Sequence, residues 1–254
     1  MTIDADDREF VSALDRGLRV IGAFADDSES LTLSEVAAKT DLSRGTARRL
    51  LLTLESLGYV RFDGKVFRLT PKILNLGYAY LSSLPLWKVA EPIMKAVVDD
   101  LNESCSLGVL DGQHIVYVAR VRPKHLSFSP INVGTRMPAH SNAMGQVLLA
   151  GLSPRELDDY FRQTKFEKFT KHTPTDEATI RRAIQRVARD GYSLSDQMLE
   201  IGRRAIAIPI RSPAGRPEMA LNIGVTINRA TKQDLVTRFL PRLREAAEQL
   251  AVQR

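Results

Sequence analysis

The sequence predicts an α+β protein with a helical N-terminal part that ends in a β-hairpin and a longer C-terminal part that mixes helices with antiparallel strands. Three observations predict this class. Apolar residues recur at helical spacing through residues 11–57. Asp-Gly pairs at 63–64 and 111–112 separate short apolar runs, as they do in β-hairpins. The apolar runs 205–210 and 219–227 flank a Pro-Ala-Gly turn, so strands lie on both sides of a helical middle.

The composition is that of a folded protein, and its charge favours an anionic partner. The chain has 254 residues, 44% hydrophobic and 26% charged, which suffices for one large or two ordinary domains. The formal net charge of +6 favours an anionic partner. The single cysteine, Cys105, excludes an intramolecular disulfide framework and is predicted in a strand core. The acidic N-terminus is unlike a secretory signal, and no apolar run reaches membrane-spanning length. We therefore expect a cytoplasmic protein without a membrane partner.

Residues 31–58 predict two helices joined by a tight turn. Thr32 has the capping-box spacing at the start of the first helix, and Ser43 is a natural N-cap for the second. Basic and hydroxyl side chains lie at the N-terminal end of that second helix, mostly off its apolar stripe: Arg44, Thr46, Arg48 and Arg49. A solvated helix face explains these residues equally well, but this is also the geometry of a helix that enters the DNA major groove.

The hairpin predicted at residues 59–69 favours the DNA-binding interpretation. Residues 41–71 contain six basic and three acidic residues, concentrated on the helix and the hairpin. Three helices followed by a basic hairpin form a winged helix-turn-helix, in which the recognition helix reads base edges and the wing contacts the backbone or minor groove. The predicted DNA-binding residues are Thr32, Ser43, Arg44, Gly45, Thr46, Arg48, Arg49, Arg61 and Lys65.

Four segments follow from these patterns. Residues 1–10 are predicted as a flexible N-terminal tail, 11–70 as the winged helix-turn-helix, 71–84 as a linker helix and 85–254 as a second domain. In the first helix, Leu14, Leu18, Ile21 and Phe24 are expected to pack behind the helix pair. The second domain is expected to hold strands at 105–110, 114–121 and 126–133, helices at 143–150 and 174–190, and a C-terminal helix at 231–252 that Pro241 kinks.

Residues 133–151 form the densest polar stretch of the second domain. Arg136, His140, Ser141 and Asn142 precede an apolar helix, where free N–H groups and the helix dipole favour an anion. Arg136 suits a two-point contact with a carboxylate, although a salt bridge beside a capped helix is an equally good interpretation. Because the sequence has neither a metal-ligand cluster nor a phosphate-binding glycine loop, we expect no cofactor, no metal site and no enzymatic activity.

Several motifs in order carry a resemblance to a known family. The segments are SALDRGLRVIGAF, LSEVAAKTDLSRGTARRLLLTLESLGYV, FRLTPKILNLGYAYL, VGTRMPAHSNAMGQVLLA, GYSLSDQMLEIGRRAIAIPI and ALNIGV. Over nearly its whole length the chain resembles the IclR-type bacterial transcriptional regulators. DGQHIVYVARV and INVGTRMPAHSNAMGQVLLA look most like the regulators of aromatic-acid catabolism through protocatechuate and β-ketoadipate.

The resemblance implies a C-terminal GAF-like antiparallel α/β effector-binding domain, and homodimers that pair into a dimer of dimers. Carried over residue by residue, the family's effector pocket falls on Leu126, Ser129, Met137, Ala143, Met144, Ser195, Ala205, Asn222 and Gly224. The side chains at 195, 205 and 224 are small here, which leaves more room than a glyoxylate sensor needs. Asn222 and Ser195 are the candidate hydrogen-bond partners of the effector, and Arg136 and His140 are its candidate charge partners.

The predicted function is a transcriptional regulator whose binding to a double-stranded DNA operator is controlled by a small aromatic or dicarboxylic acid. Protocatechuate, 4-hydroxybenzoate and a β-ketoadipate-like acid are the expected effector types, and aromatic-compound catabolism is the expected target. The alternative is a small-molecule sensor or enzyme domain whose helix-turn-helix serves protein interaction.

Overall fold

The structure is a computed structural model that describes residues 9–25, 29–84, 86–124 and 131–252. Contacts divide the chain into two units, Met1–Ser83 and Leu84–Arg254. Residues 71–84, predicted as a separate linker helix, therefore fall almost entirely within the first unit. The predicted tail at 1–10 lies mostly outside the described residues.

The first unit is a helical bundle with a short antiparallel hairpin. Its elements in order are α1 (Ser12–Gly22), α2 (Leu33–Thr40), α3 (Arg44–Ser56), β1 (Val60–Phe62), β2 (Phe67–Leu69), a 3-10 turn (Pro71–Ile73) and α4 (Leu74–Ser83). The side chains of Val20, Val36, Ala47, Leu51 and Val60 form the centre of its core. This core joins α1, α2 and α3 to the hairpin, so the sequence's helical spacing and its Asp-Gly turn produce one packed unit.

The predicted helix signals of the helix pair are confirmed. Thr32 and Glu35 form a reciprocal capping box at the start of α2. Asp41 ends α2 in the left-handed conformation, with φ of 53°. The Ser43 hydroxyl accepts a hydrogen bond from the Thr46 N–H at 3.2 Å and caps α3. These caps fix the tight turn between the two helices.

Two expectations for the first unit are only partly confirmed. Phe24 is buried and Ile21 packs against the core as predicted, whereas the Leu14 and Leu18 side chains are 63% and 56% exposed. The predicted packing of α1 is therefore right for its C-terminal end and wrong for its N-terminal half.

The predicted hairpin is present, but its turn is shifted from the Asp63-Gly64 pair. Phe62 pairs with Phe67, and the Asp63 N–H donates to the Val66 carbonyl at 3.2 Å, so Gly64 and Lys65 lie at the tip.

The second unit places helices on both faces of an antiparallel sheet. Its elements are α5 (Trp87–Leu101), β3 (Ser104–Asp111), β4 (His114–Val121), β5 (Arg136–Pro138), a 3-10 turn (Ala139–Ser141), α6 (Ala143–Leu149), α7 (Pro154–Gln163), α8 (Glu177–Asp190), β6 (Ser193–Asp196), β7 (Arg203–Arg211), β8 (Pro217–Thr226), α9 (Lys232–Asp234), a π-helical turn (Leu235–Phe239) and α10 (Leu240–Val252). Within the described residues the strands form one sheet in the order β5-β4-β3-β8-β7-β6.

The two faces of the sheet carry different side chains because strand residues alternate. Ala207 and Ala220 lie in one core cluster with Met144 and Val147 of α6. Their strand neighbours Ile206, Ile208, Leu221 and Ile223 are equally buried and alternate to the other face, where α5 and α10 pack together against the sheet. Small residues on the α6 face leave space between that helix and the sheet.

Three predicted elements of the second unit differ in detail. The strand expected at 126–133 lies mostly outside the described residues, and residues 131–133 are not in a strand. The helix expected from residue 174 begins at Glu177, where Asp176 supplies the N-cap. Pro241 is the second residue of α10. Proline has no backbone N–H to donate within a helix, and the π-helical turn directly before α10 accommodates the missing hydrogen bond.

Candidate functional site

The N-terminal half of α3 presents a polar, basic surface. Arg44, Gly45, Arg48 and Arg49 are exposed, whereas Ala47 is fully buried against the core. The helix therefore separates an anchored face from a free cationic face within its first turns. The hydroxyl groups of Thr32 and Ser43 are engaged in capping their helices, so these two side chains hold the geometry of the surface as well as lying near it.

The wing is braced by its own side chains. Asp63 accepts hydrogen bonds from the N–H groups of Val66 and Lys65 at 2.9 and 3.1 Å, and these bonds lower its pKa to about 2. Its other oxygen pairs with Arg68 at 2.5 Å. Glu55 of α3 accepts a hydrogen bond from the Phe62 N–H at 3.3 Å, which ties the wing to the basic helix.

Arg61 and Lys65 are both exposed on the wing. The wing and α3 together form a basic surface whose backbone is fixed by caps and by an internal ion pair. A surface of exposed arginines and lysines on a helix N-terminus and an adjacent hairpin suits the phosphates and base edges of duplex DNA.

The second unit contains a cavity of about 100 Å³. This is of the same order as the roughly 150 Å³ cavity that holds one benzene molecule. Side chains from β3, β4, β6, β7 and β8 form its floor, and the start of α6 and residues 198–200 form its walls. Apolar and polar groups alternate around it, as in a binding site for one small polar organic molecule.

A β-bulge determines which side chains of β4 reach the cavity. Arg120 pairs with Ser106 and Tyr117 pairs with Gly108, with a register shift between Leu107 and Gly108. Because of this extra residue, Tyr117 and Arg120 lie on the same face of the sheet, although they are three positions apart. Both line the cavity.

The connection between β6 and β7, residues 197–202, is held in place from two sides. The hydroxyl of Thr170 donates to the Gln197 carbonyl at 2.6 Å, and that of Thr173 donates to the Met198 carbonyl at 2.5 Å. From the other side, the buried amide of Gln146 donates to the Met198 sulfur at 3.7 Å. Gln146 is itself held in place because its amide also donates to the His140 carbonyl at 3.2 Å and accepts from the Ser193 hydroxyl at 2.7 Å. These bonds fix the wall that Met198 contributes to the cavity.

Eight of the residues carried over or singled out from the sequence meet at this cavity: Met137, Ser141, Asn142, Ala143, Ser195, Ala205, Asn222 and Gly224. Leu126 and Ser129 lie outside the described residues. The side chain of Asn142 accepts the Met144 N–H at 2.9 Å and so caps α6 itself. The start of α6 is therefore a weaker anion-binding site than the sequence suggested, because the Met144 N–H is already bound to Asn142.

Three other predicted effector residues do not line the cavity. Arg136 is half exposed and forms an ion pair with Asp111. This is the salt bridge that the sequence left open as the alternative to a contact with the effector's carboxylate. Met144 is buried beneath the cavity wall and lies so close to Gly108 that a Cβ there would be 3.0 Å from its sulfur.

His140 is the third, and it is buried beside the rings of Phe166 and Phe169. Burial lowers the pKa of its imidazole, against a smaller opposing effect of Glu167. The neutral ring is therefore favoured, and His140 is not a charge partner at this cavity.

Comparison with known proteins assigns the chain to a protein family. Residues 13–64 match the model of the IclR helix-turn-helix domain, and residues 78–252 match the model of the bacterial transcriptional regulator IclR C-terminal domain. This chain belongs to the IclR family of bacterial transcriptional regulators. The alternative of an unrelated sensor whose helix-turn-helix serves protein interaction is thereby set aside.

Individual IclR-family proteins are similar over nearly the whole chain. The Pca regulon regulatory protein of Pseudomonas putida is 38% identical over 248 residues, covering 97% of this chain and 85% of that protein. A solved structure from Rhodococcus sp. RHA1 is 43% identical with a TM-score of 0.85, covering 96% and 98% of the two chains. An IclR homolog from Microbacterium hydrocarbonoxydans, solved with 4-hydroxybenzoate, is 25% identical with a TM-score of 0.82, covering 95% and 98%.

Much of the polar lining of the cavity was not predicted from the sequence of this IclR-family chain. Ser104, Ser106, Tyr117, Arg120 and Arg203 all line it. An arginine within the otherwise apolar run HIVYVARV was an available signal, because a charged residue in a buried strand needs a partner. No helix among the described residues is long and apolar enough to cross a membrane.

Proposed function

We propose that this IclR-family regulator binds operator DNA through the N-terminal half of α3 and the wing. Arg44, Arg48 and Arg49 would contact base edges and nearby phosphates from the major groove, and Arg61 and Lys65 would contact the backbone from the wing. The exposed cationic face of α3 beside a braced hairpin supports this assignment. The protein would bind operator DNA in the cytoplasm.

The test is salt-dependent binding to operator DNA. Arg48→Ala is expected to weaken operator binding about tenfold and to relax base preference, whereas Lys65→Ala weakens binding to every sequence and lowers the salt slope by about one. Arg244→Ala, an exposed arginine of the second unit, is the matched control for the change in net charge. Unchanged operator affinity in both α3 and wing variants would show that DNA is bound elsewhere.

We infer that a small aromatic or dicarboxylic acid binds in the cavity of the second unit and controls operator binding. The observation that carries this inference is the cavity itself, whose volume suits one ring and whose lining offers Ser195 and Asn222 as hydrogen-bonding groups. The 4-hydroxybenzoate bound to the Microbacterium relative and the Pca regulon relative both favour an aromatic acid and a role in aromatic catabolism. The relatives named above are regulators, and we propose no catalytic reaction for this chain.

Calorimetric titration with protocatechuate, 4-hydroxybenzoate and 3-oxoadipate tests the assignment. Asn222→Leu places an apolar side chain in the cavity and is expected to lose effector binding while it leaves ligand-free operator affinity unchanged. Equal binding of the preferred acid to the native protein and to Asn222→Leu would exclude this cavity as the effector site.

We further propose that the protein is a homodimer through its first unit, and that such dimers pair. The apolar side chains of Leu14 and Leu18 on α1, and of Leu74 and Tyr78 on α4, are 56–70% exposed. An apolar surface of this kind on a soluble domain marks an interface. Light scattering of the native protein and of a Leu14→Glu, Leu18→Glu variant measures the assembly; an unchanged mass would exclude α1 from the interface.

A further inference from the structure

The charged lining of the cavity is uneven. Arg120, Arg203 and Arg204 line it together with one carboxylate, that of Glu200. Arg204 is firmly bound in the protein: its Nε donates to Asp196 at 2.6 Å and its Nη1 donates to the Ala230 carbonyl at 3.0 Å. Its role is therefore to hold β7 to neighbouring elements, and its charge is already paired with that of Asp196.

Arg203 is partly neutralised. Its Nε lies 3.8 Å from a carboxylate oxygen of Glu200, and its side chain is 35% exposed. At this distance the two groups attract each other without a close hydrogen bond. Arg203 is thus able to turn toward a ligand, but its charge is already shared with Glu200.

Arg120 is the half-buried cation of the cavity floor. It comes from β4, and its Nη1 donates to the Ser106 hydroxyl at 3.3 Å, which holds the guanidinium against the sheet. Burial lowers the pKa of Arg120; Tyr117 opposes this effect in part, and the nearby charges of Arg122 and Arg203 add to it. This environment disfavours the positive charge, so an anion that enters the cavity would be stabilised by relieving that cost.

We propose that Arg120 binds the carboxylate of the effector, and that Arg203 contributes a second contact whose strength depends on the ligand. This proposal rests on the assignment of the cavity as the effector site. A guanidinium presents two parallel N–H donors to a carboxylate, so one arginine fixes both the position and the orientation of the acid group. The β4 bulge is what aims Arg120 and Tyr117 at the same ligand.

The geometry also separates two classes of acid. A monocarboxylate such as 4-hydroxybenzoate binds Arg120 and leaves the contact between Arg203 and Glu200 undisturbed. A dicarboxylate such as 3-oxoadipate has a second acid group, which requires Arg203 to leave Glu200. Monocarboxylate binding is therefore sensitive to Arg120 alone, whereas dicarboxylate binding is sensitive to both arginines.

The experiment compares an acid with its neutral analogue in the full-length protein. Calorimetry measures 4-hydroxybenzoate, 4-hydroxybenzamide and 3-oxoadipate against the native protein and against Arg120→Met, Arg203→Met and Arg136→Met. Methionine keeps the apolar stem but removes the charge, and Arg136, which pairs with Asp111 away from the cavity, is the matched control. Thermal unfolding without ligand reports whether each variant is folded.

The expected result is a loss of acid binding of about 10- to 100-fold in Arg120→Met, as for a hydrogen bond to a charged group, with amide binding unchanged. Arg120→Lys should recover part of the loss, and Arg136→Met should change nothing. An acid that binds Arg120→Met as tightly as the native protein overturns the anchor but leaves the effector cavity standing. If none of 4-hydroxybenzoate, protocatechuate and 3-oxoadipate binds the native protein, the effector assignment itself is overturned, and the anchor with it.

Discussion

The Thr173 hydroxyl offers the sharpest test of how the cavity wall is held. It is buried, donates to the Met198 carbonyl at 2.5 Å, and accepts the N–H groups of Phe169 and Thr170 at 3.1 and 2.8 Å. Thr173→Val keeps the shape of the side chain and removes all three bonds. The backbone groups of Phe169, Thr170 and Met198 then lose a partner in a place that water reaches poorly.

The magnitude follows from those three bonds. A hydrogen bond of this kind contributes about 0.5–1.5 kcal/mol net, so the loss of three should lower the unfolding free energy of the second unit by about 1.5–4.5 kcal/mol. For a unit of this size each kcal/mol lowers Tm by about 2–4 °C, which gives a fall of about 3–18 °C. If the wall residue Met198 is correctly placed in only about a tenth of the molecules, apparent effector affinity falls about tenfold.

Two measurements on ligand-free and ligand-bound protein decide the matter. Thermal unfolding gives the loss of stability, and calorimetry with 4-hydroxybenzoate gives the loss of affinity. Thr164→Val is the matched control, because the Thr164 hydroxyl makes one bond, to the Tyr160 carbonyl at 2.6 Å, and does not line the cavity. A Thr173→Val protein with native Tm and native affinity would refute the view that this hydroxyl supports the wall.

Three further outcomes are expected from the same geometry. Ser104→Ala should weaken 4-hydroxybenzoate by about threefold to tenfold in calorimetry and leave benzoate unchanged, because the buried Ser104 hydroxyl lines the cavity and has no hydrogen-bond partner among the described residues. Gly145→Ala should destabilise the second unit by at least about 1–3 kcal/mol in chemical unfolding, since its Cβ would lie 2.1 Å from the Ala139 carbonyl oxygen and backbone cannot swing aside. The pKa of Asp63 is lowered from 3.8 to about 2, so its contribution to wing order is full above pH 3.8 and is lost as the pH falls through about 2. The Lys65 amide signal in NMR should report that loss, and Asp63→Ala, which removes both acceptor oxygens, should lose the order at neutral pH.

The local signals of the first unit were readable from sequence because they act over a few residues. The Thr32 capping box and the Ser43 cap depend only on side chains three positions from their partners, and both are present. The exposed face of α1 was not readable in this way. Leu14 and Leu18 have the spacing of a core stripe, and apolar periodicity does not say whether the partner surface belongs to the same chain.

Only part of the cavity lining could be predicted from the sequence, and the physical reason is different. The small residues Ser195, Ala205 and Gly224 could be carried over from family motifs, and all three line it. Arg120 could not be placed, because simple strand alternation puts it on the opposite face from Tyr117, and only the bulge at Gly108 returns it. Arg136 and His140 were predicted from their charge and from their place before an apolar helix, but the nearer partners Asp111 and Phe166 decided their positions.

The separation of roles in the cavity bears on how a ligand would regulate the protein. A contact that is equally strong in two arrangements of the protein adds affinity and shifts no equilibrium, and moving a population from 1:99 to 99:1 takes about a 10⁴-fold difference in affinity between them. Arg120 lies on a strand inside the sheet, where it has little freedom to change. It therefore sets the concentration at which the effector binds. A response to binding would have to come from lining outside the strands of the sheet, and residues 197–202, held by side-chain hydrogen bonds from Thr170 and Thr173, are such a segment.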